Sequence, residues 1–122
     1  MFEAKIIDTN LEMSAKDRVK YKDLTTALSV ADILVADTEL KIVPTGYYTM
    51  QVHNDKSENT DYSVFVIIGE DGNRYYTSSE SLKDSFLEIF NELNGTDEEW
   101  GVQVVPIQSK NYKGEFFTCV VF

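Results

Sequence analysis

One amphipathic helix pattern, set between segments that alternate as β-strands do, limits this chain to a small set of folds. Within residues 79–94, apolar side chains recur at intervals of three and four, which places them in one stripe along a helix. The stripe consists of Leu82, Phe86, Ile89 and Leu93. Thr77 and Glu80 have the spacing of a capping box, and Gly95 stands where the helix would end. The pattern therefore predicts one long helix over residues 79–94.

Strand patterns account for most of the remaining chain. Asp71-Gly72 is typical of a β-hairpin turn, and Pro44-Thr45-Gly46 marks a bend or bulge. Residues 24–36 are ambiguous, with a short helical turn expected near residues 29–34. Alternating or apolar segments that predict strands occupy residues 2–8, 17–22, 39–43, 47–53, 62–69, 73–77, 101–108 and 115–122.

The order of these elements favours one architecture. If residues 39–53 form one strand bent at residues 44–46, the order is three strands, a helix and two strands, which is that of the OB-fold. We therefore predict a mainly β protein with an OB-fold-like five-stranded Greek-key barrel and one capping helix between strands 3 and 4. Residues 1–122 form a single domain in this interpretation. Its parts are an N-terminal extension with added strands (1–38) and the barrel (39–122).

Composition excludes several classes of protein. The 122 residues include 11 Lys and Arg against 21 Asp and Glu, a formal net charge of −10, which opposes generic binding to nucleic acid or to an anionic membrane. The lone Cys119 fits a reducing compartment, and no apolar run is long enough to span a membrane. His53 has no second histidine or cysteine at ligand spacing. We expect a cytoplasmic protein that is not an enzyme and uses no cofactor or metal.

Positive charge and aromatic rings nevertheless lie on the second and third strands and in the last loop of the predicted barrel, which are among the places where an OB barrel binds its ligands. Residues 16–22 carry a net charge of +3, and alternation places Arg18, Lys20 and Lys22 on one face of the predicted strand. Tyr48 alternates with apolar neighbours and is expected in the core. The candidate residues for binding nucleic acid are Arg18, Lys20, Lys22, Tyr47, Tyr62, Arg74, Tyr75, Tyr76, Lys110, Tyr112 and Lys113.

Some of these residues also have a plain structural interpretation. Lysines on residues 17–22 could simply protect the edge of a sheet. Tyr75 and Tyr76 are adjacent on a strand, so they point to opposite faces and at least one is expected in the core.

Three segments in this order resemble the small single-stranded DNA-binding (SSB) proteins of tailed bacteriophages. They are DGNRYYTSS, the helix SLKDSFLEIFNEL and the terminal hairpin VQVVPIQSKNYKGEFFTCVVF. The resemblance covers the second half of the chain well and residues 1–60 loosely. It implies an OB-type barrel that coats single-stranded DNA during phage replication or recombination, in the cytoplasm of the host bacterium. The acidic loop 54–61 and the strand CVVF, which ends the sequence without an acidic tail, depart from this pattern.

The sequence thus predicts a sequence-independent single-stranded DNA-binding protein that stacks bases on tyrosines and pairs phosphates with Lys and Arg. Self-association along the strand, phage or host replication and recombination proteins as partners, and no membrane are also expected. The alternative is an acidic phage inhibitor, or DNA mimic, that binds a host nucleic-acid enzyme. A third interpretation is a protein–protein adaptor that uses the barrel only as a scaffold. The surroundings of Arg18, Lys20 and Lys22 distinguish the DNA-binding protein from the DNA mimic, because a mimic would neutralise each of these cations with a carboxylate.

Overall fold

The computed structural model describes residues 2–36, 39–55, 61–107 and 116–122, and within these ranges the protein is mainly β. The helices are α1 (Ala15–Lys22), α2 (Val30–Ala36) and α3 (Glu80–Leu93). The strands are β1 (Phe2–Thr9), β2 (Leu28–Ser29), β3 (Leu40–Ile42), β4 (Pro44–Asn54), β5 (Asp61–Gly69), β6 (Arg74–Thr77), β7 (Val102–Ile107) and β8 (Phe116–Val121). No helix among these residues is both long enough and apolar enough to cross a membrane.

The strands form two sheets. One has five strands in the order β1-β4-β5-β6-β2, and the other has three in the order β3-β7-β8. All pairs are antiparallel except β2 with β6. The mainly β class is confirmed and β1 matches the strand predicted over residues 2–8, but the strands of the described residues do not close into a barrel. The reason is that β2 occupies the side of β6 on which β8 would have to pair.

Residues 39–53 pass from one sheet to the other. β3 pairs with β7, whereas β4 pairs with β1 and β5, and Val43 lies between the two strands. The register between β4 and β5 shifts between Pro44 and Gly46, which confirms the predicted bulge. Proline suits this position because it lacks the N–H that a regular ladder would need.

The predicted strand over residues 17–22 is wrong, because these residues belong to helix α1. Ser14 and Asp17 cap the helix: the Asp17 N–H donates to Ser14 Oγ (3.1 Å) and the Ser14 N–H donates to Asp17 Oδ2 (3.2 Å). Lys20 and Lys22 lie in the last turn, where positive charge is favoured by the helix dipole. Local capping therefore outweighs the short alternation of Val19 and Tyr21.

Other local predictions are confirmed with small shifts of boundary. The hairpin turn between β5 and β6 contains Gly72 at φ +85°, and α3 is followed by Gly95 at φ +84°. The N-cap of α3 is Ser79 rather than Thr77, since the Leu82 N–H donates to Ser79 Oγ. The ambiguous segment 24–36 contains α2, which includes the helical turn expected there.

The five-stranded sheet has a core on each face. On one face, Tyr48, Met50, Val52, Val64 and Val66 are buried beneath Tyr21 and Leu24, which belong to α1 and the segment after it. On the other face, Phe65 and Ile67 pack with Phe86 and Phe90 of α3 and with the second sheet, which includes buried Cys119. Tyr48 is thus in the core, as predicted, and Cys119 is buried in the other core. It follows that α1 and α3 cover opposite faces of the five-stranded sheet.

Candidate nucleic-acid interface

Helix α1 carries four cations, Lys16, Arg18, Lys20 and Lys22. Lys16, Arg18 and Lys20 are exposed and Lys22 is half-buried. Within the described ranges, no carboxylate lies within 4.0 Å of any of these four side chains. An α-helix turns by about 100° per residue, so Arg18 and Lys22 share a face while Lys20 projects roughly 160° away from each. The structure therefore keeps two of the three cations together and separates Lys20 from them.

Arg18 and Lys22 line shallow grooves beside the edge strand β1. Arg18 lines a groove of about 280 Å³ whose other lining residues include Asp8, Leu11 and Met13. Lys22 lines one groove of about 530 Å³ with Lys5 and Glu3 of β1.

Lys22 lines a second groove together with Tyr62. This groove has a volume of about 390 Å³, and its other lining residues are Asp23, Leu24, Thr25, Met50, Val52 and Val64. A predicted cation and a predicted aromatic residue therefore meet at this groove, which lies on the α1 side of the sheet.

Arg74 does not join these cations, because its guanidinium is engaged within the protein. It donates hydrogen bonds to the carbonyl oxygens of Tyr21 (3.3 Å) and Asp23 (2.8 Å), to the Tyr48 hydroxyl (3.0 Å) and to Thr26 Oγ1 (2.8 Å). These bonds tie β6 to α1 and to the segment that follows it. Sequence analysis missed this role, since the partners of Arg74 are backbone atoms and side chains 26 to 53 positions away along the chain.

The other tyrosines turn toward the two cores. Tyr75 is buried and its hydroxyl donates to Asp71 Oδ2 (2.9 Å), and burial raises the pKa of this hydroxyl. Tyr47 is half-buried against Phe86 and Phe90, with ring centroids 6.0 and 5.2 Å apart. Tyr76 packs on the opposite core, so Tyr75 and Tyr76 do face opposite sides as predicted. Tyr75 therefore offers no open ring for a base, whereas Tyr47 and Tyr76 are half-buried with their rings packed on the cores.

Three predicted site residues, Lys110, Tyr112 and Lys113, lie outside the described residues, as does most of loop 54–61. They stay predictions from the sequence.

His53 stands where β4 meets loop 54–61, held by two carboxylates. Its Nδ1 is 2.8 Å from Asp61 Oδ1, and its Nε2 is 2.7 Å from Asp55 Oδ1. Both ring nitrogens therefore face an acceptor, which is the arrangement that suits a protonated imidazolium. Across the described residues, no group of three or more His, Cys, Asp or Glu side chains is arranged to hold a metal ion.

The pKa of His53 is expected to lie above its ordinary value of 6.5, mainly because of the hydrogen bond with Asp61 and then that with Asp55. A pKa that is raised in the folded state stabilises the protein most below the unfolded-state pKa, and this contribution is lost as pH rises through the folded-state pKa. His53 is the only histidine, so an NMR titration of its ring protons measures this directly. Asp61→Asn should move the midpoint back toward 6.5, and a wild-type midpoint at or below 6.5 would contradict the ion pairs.

Sequence analysis also missed an acidic stripe on α3. Glu80, Asp84, Glu88 and Glu92 recur every fourth residue and are all exposed, while Lys83 is the one cation of this helix. The signal was the four-residue spacing of carboxylates inside the predicted helix. With α1 on the other face of the sheet, the four cations of α1 and the four carboxylates of α3 lie on opposite faces of that sheet.

Comparison of the chain with protein-family models, with curated proteins and with solved structures finds no match.

Proposed function

We propose that this chain is a sequence-independent single-stranded DNA-binding protein that acts in phage DNA replication or recombination and binds DNA along α1 and β1. The observation that carries the proposal is that the four α1 cations have no carboxylate partner in the described part of the chain, although acids outnumber bases by 21 to 11. Cations that served only solubility would be expected to mix with the many carboxylates.

The separation of charge supports this side of the molecule as the contact surface. Helix α1 has four cations and one carboxylate, whereas α3 has four carboxylates and one cation on the opposite face of the sheet. A polyanion is therefore attracted toward α1 and repelled from α3. The net charge of −10 describes the whole chain and does not show this difference between the two helices.

The proposed contacts rely more on phosphates than on stacking. Arg18 and Lys22 share a helix face, and Lys5 lines a groove with Lys22, so these three cations can follow one strand of backbone. Tyr62, in its groove with Lys22, is the proposed stacking residue on this surface, worth about 1–3 kcal/mol per base. Lys110, Tyr112 and Lys113 stay in the proposal through the sequence alone. We expect modest affinity that falls with salt.

We also propose an OB-like scaffold that is open between β6 and β8. Residues 40–54, which form β3 and β4, contribute to both sheets, as the bent first strand of an OB barrel does. If β3 and β4 count as that first strand, α3 follows the third strand (β6) and precedes the fourth (β7), which is the position of the helix in an OB-fold.

Titration of fluorescent oligo-dT at several salt concentrations tests the proposal. Arg18→Ala/Lys22→Ala should weaken binding roughly tenfold at low salt and reduce the log–log salt slope by about 1.4, since each phosphate contact on single strands contributes about 0.7. The matched control is Lys41→Ala/Lys83→Ala, which removes the same charge from β3 and α3. It should change affinity less than about twofold, because long-range charge alone is screened.

Two results would overturn this proposal. One is an equal loss of affinity in both double variants, which would mean that only net charge matters. The other is the absence of salt-dependent binding by the wild-type protein at tens of micromolar, the upper end of what a modest affinity allows.

The acidic stripe favours a second candidate function, an inhibitor that presents carboxylates in place of DNA phosphates to a nucleic-acid enzyme. Four exposed carboxylates one turn apart form a regular row with a rise of about 6 Å per step. This candidate requires no oligonucleotide affinity, so the same titration separates the two functions.

A further inference from the structure

A second surface feature, which the proposed DNA contacts do not use, is a groove with apolar walls and an acidic rim. Val43, Pro44, Trp100 and Phe122 form the walls of this space of about 590 Å³. The exposed residues Glu70, Glu98 and Glu99 form its rim. We call it the acidic groove.

The walls of the acidic groove are fixed by backbone and ring contacts. Gly101 and Phe122 exchange two backbone hydrogen bonds of 2.9 and 3.1 Å, and the Glu70 N–H donates to the Val43 carbonyl (2.8 Å). The Trp100 ring lies edge-on to Phe90, with centroids 6.0 Å apart. Because these residues are held in place, binding there would require little ordering of the groove.

One cation, Lys41, lies beside the acidic groove, and it is already paired with a carboxylate. Lys41 Nζ lies 5.5 Å from the centre of the Phe122 ring, but the same ammonium is 3.6 Å from Glu39. In the described part of the chain, the rim residues Glu70, Glu98 and Glu99 have no cation within 4.0 Å. The rim therefore stays available to an external cation.

The outward face of α1 has the complementary composition. Val19 is 72% exposed, which is unusual for an apolar side chain on so polar a helix. Lys16 precedes it by three residues and Lys22 follows it by three, so both lie beside it on the helix surface. Arg18 and Lys20 flank the same position. An apolar centre ringed by cations thus matches an apolar groove rimmed by carboxylates.

We propose that α1 of one copy of this chain docks in the acidic groove of a second copy. Val19 enters the space between Trp100 and Phe122, and the α1 lysines pair with the rim glutamates. The two surfaces belong to different parts of the chain, so the contact is head-to-tail and can continue from copy to copy. Its small size and its dependence on charge make it weak and sensitive to salt.

This association does not rest on the proposed DNA binding, although α1 takes part in both. The rim glutamates and DNA phosphates compete for the same cations, so single-stranded DNA should dissociate the assemblies. Association is measured without DNA, which keeps a failure of this inference separate from a failure of the proposed function.

Sedimentation velocity of the full chain tests the contact. At about 50 mM salt the mean sedimentation coefficient should rise with protein concentration up to about 500 µM, and at about 500 mM salt it should not, because the shorter Debye length screens the pairs. Lys16→Glu/Lys20→Glu and Glu98→Lys/Glu99→Lys should each weaken association at least tenfold. An equimolar mixture of these two variants should associate again. The acidic α1 of the first variant can pair with the basic groove of the second, and the unchanged α1 of the second can pair with the unchanged groove of the first.

The charge-matched control is Glu88→Lys/Glu92→Lys, which makes the same change on exposed positions of α3, outside the acidic groove. It should associate as the wild type does. The inference is overturned if the wild type stays monomeric at low salt, if the mixture of the two variants stays monomeric, or if the α3 control loses association equally. Recovery in the mixture would also show that both variants fold.

Discussion

Replacing Arg74 with methionine should lower the free energy of unfolding by about 2–4 kcal/mol, a large share of the stability of a domain this size. The guanidinium makes four hydrogen bonds, three that join β6 to α1 and the segment after it and one to Tyr48 of β4. One partner, the hydroxyl of Tyr48, belongs to a fully buried side chain. Methionine fills similar space but donates nothing, so the Asp23 carbonyl and Thr26 hydroxyl also lose their partner.

Urea unfolding followed by the fluorescence of Trp100, the single tryptophan, measures this loss. Arg18→Met is the matched control, because Arg18 is exposed and should cost less than about 0.5 kcal/mol. If Arg74→Met proved as stable as Arg18→Met but bound oligo-dT less well, Arg74 would belong to the DNA interface after all. That result would contradict the conclusion that the Arg74 guanidinium stabilises the fold.

The fold elements that the sequence predicts well are those with local causes. Asp71 and Gly72 specify a tight turn by their own chemistry: Asp71 Oδ1 accepts the Asn73 N–H (3.0 Å) and Gly72 adopts a positive φ. The long stripe of α3 and its stop at Gly95 are equally local. Such features appear in a few consecutive residues, so no knowledge of the tertiary structure is needed.

Helix α1 shows how a short local pattern misleads. Six residues that alternate fit a strand, but they fit a polar surface helix equally well, because neither face needs to be buried. The deciding signal was the capping box that Ser14 forms with Asp17, three residues later. Ser14 lies just before residues 17–22, the segment predicted as a strand. The error mattered for function, since a strand aligns Arg18, Lys20 and Lys22 and a helix does not.

The site was harder to predict than the fold because its residues depend on partners far along the chain. Alternation correctly gave Tyr75 and Tyr76 opposite faces, but it assumed that one face of the sheet was open. Both faces are covered, by α1 on one side and α3 on the other, so both rings pack inward. The two-residue strand β2 pairs with β6 in parallel and has no sequence pattern at all.

The outer edge of β8 gives the second large expected effect. Ser79, Ser81 and Ser85 of the α3 region bond to its backbone where a neighbouring strand would otherwise be needed. Ser79 Oγ accepts from the Phe117 N–H (3.4 Å), Ser81 Oγ donates to the Phe117 carbonyl (2.8 Å), and Ser85 Oγ accepts from the Cys119 N–H (3.1 Å). Serine hydroxyls therefore satisfy an edge that a closed barrel would satisfy with β6.

Ser79→Ala/Ser85→Ala should lower the free energy of unfolding by about 2–4 kcal/mol. The loss combines an N-cap, worth about 1 kcal/mol, with two edge N–H groups left unpaired at about 1–3 kcal/mol each, less what water restores. The freed edge of β8 should also promote aggregation, measured by light scattering near the midpoint of thermal unfolding. Ser78→Ala/Asn91→Ala, at exposed positions just before and within α3, is the control and should change stability by less than about 0.5 kcal/mol. Equal urea midpoints for the two double variants would show that the edge of β8 is held by the packing of Phe117 and Cys119 against α3, with the hydroxyls contributing nothing measurable.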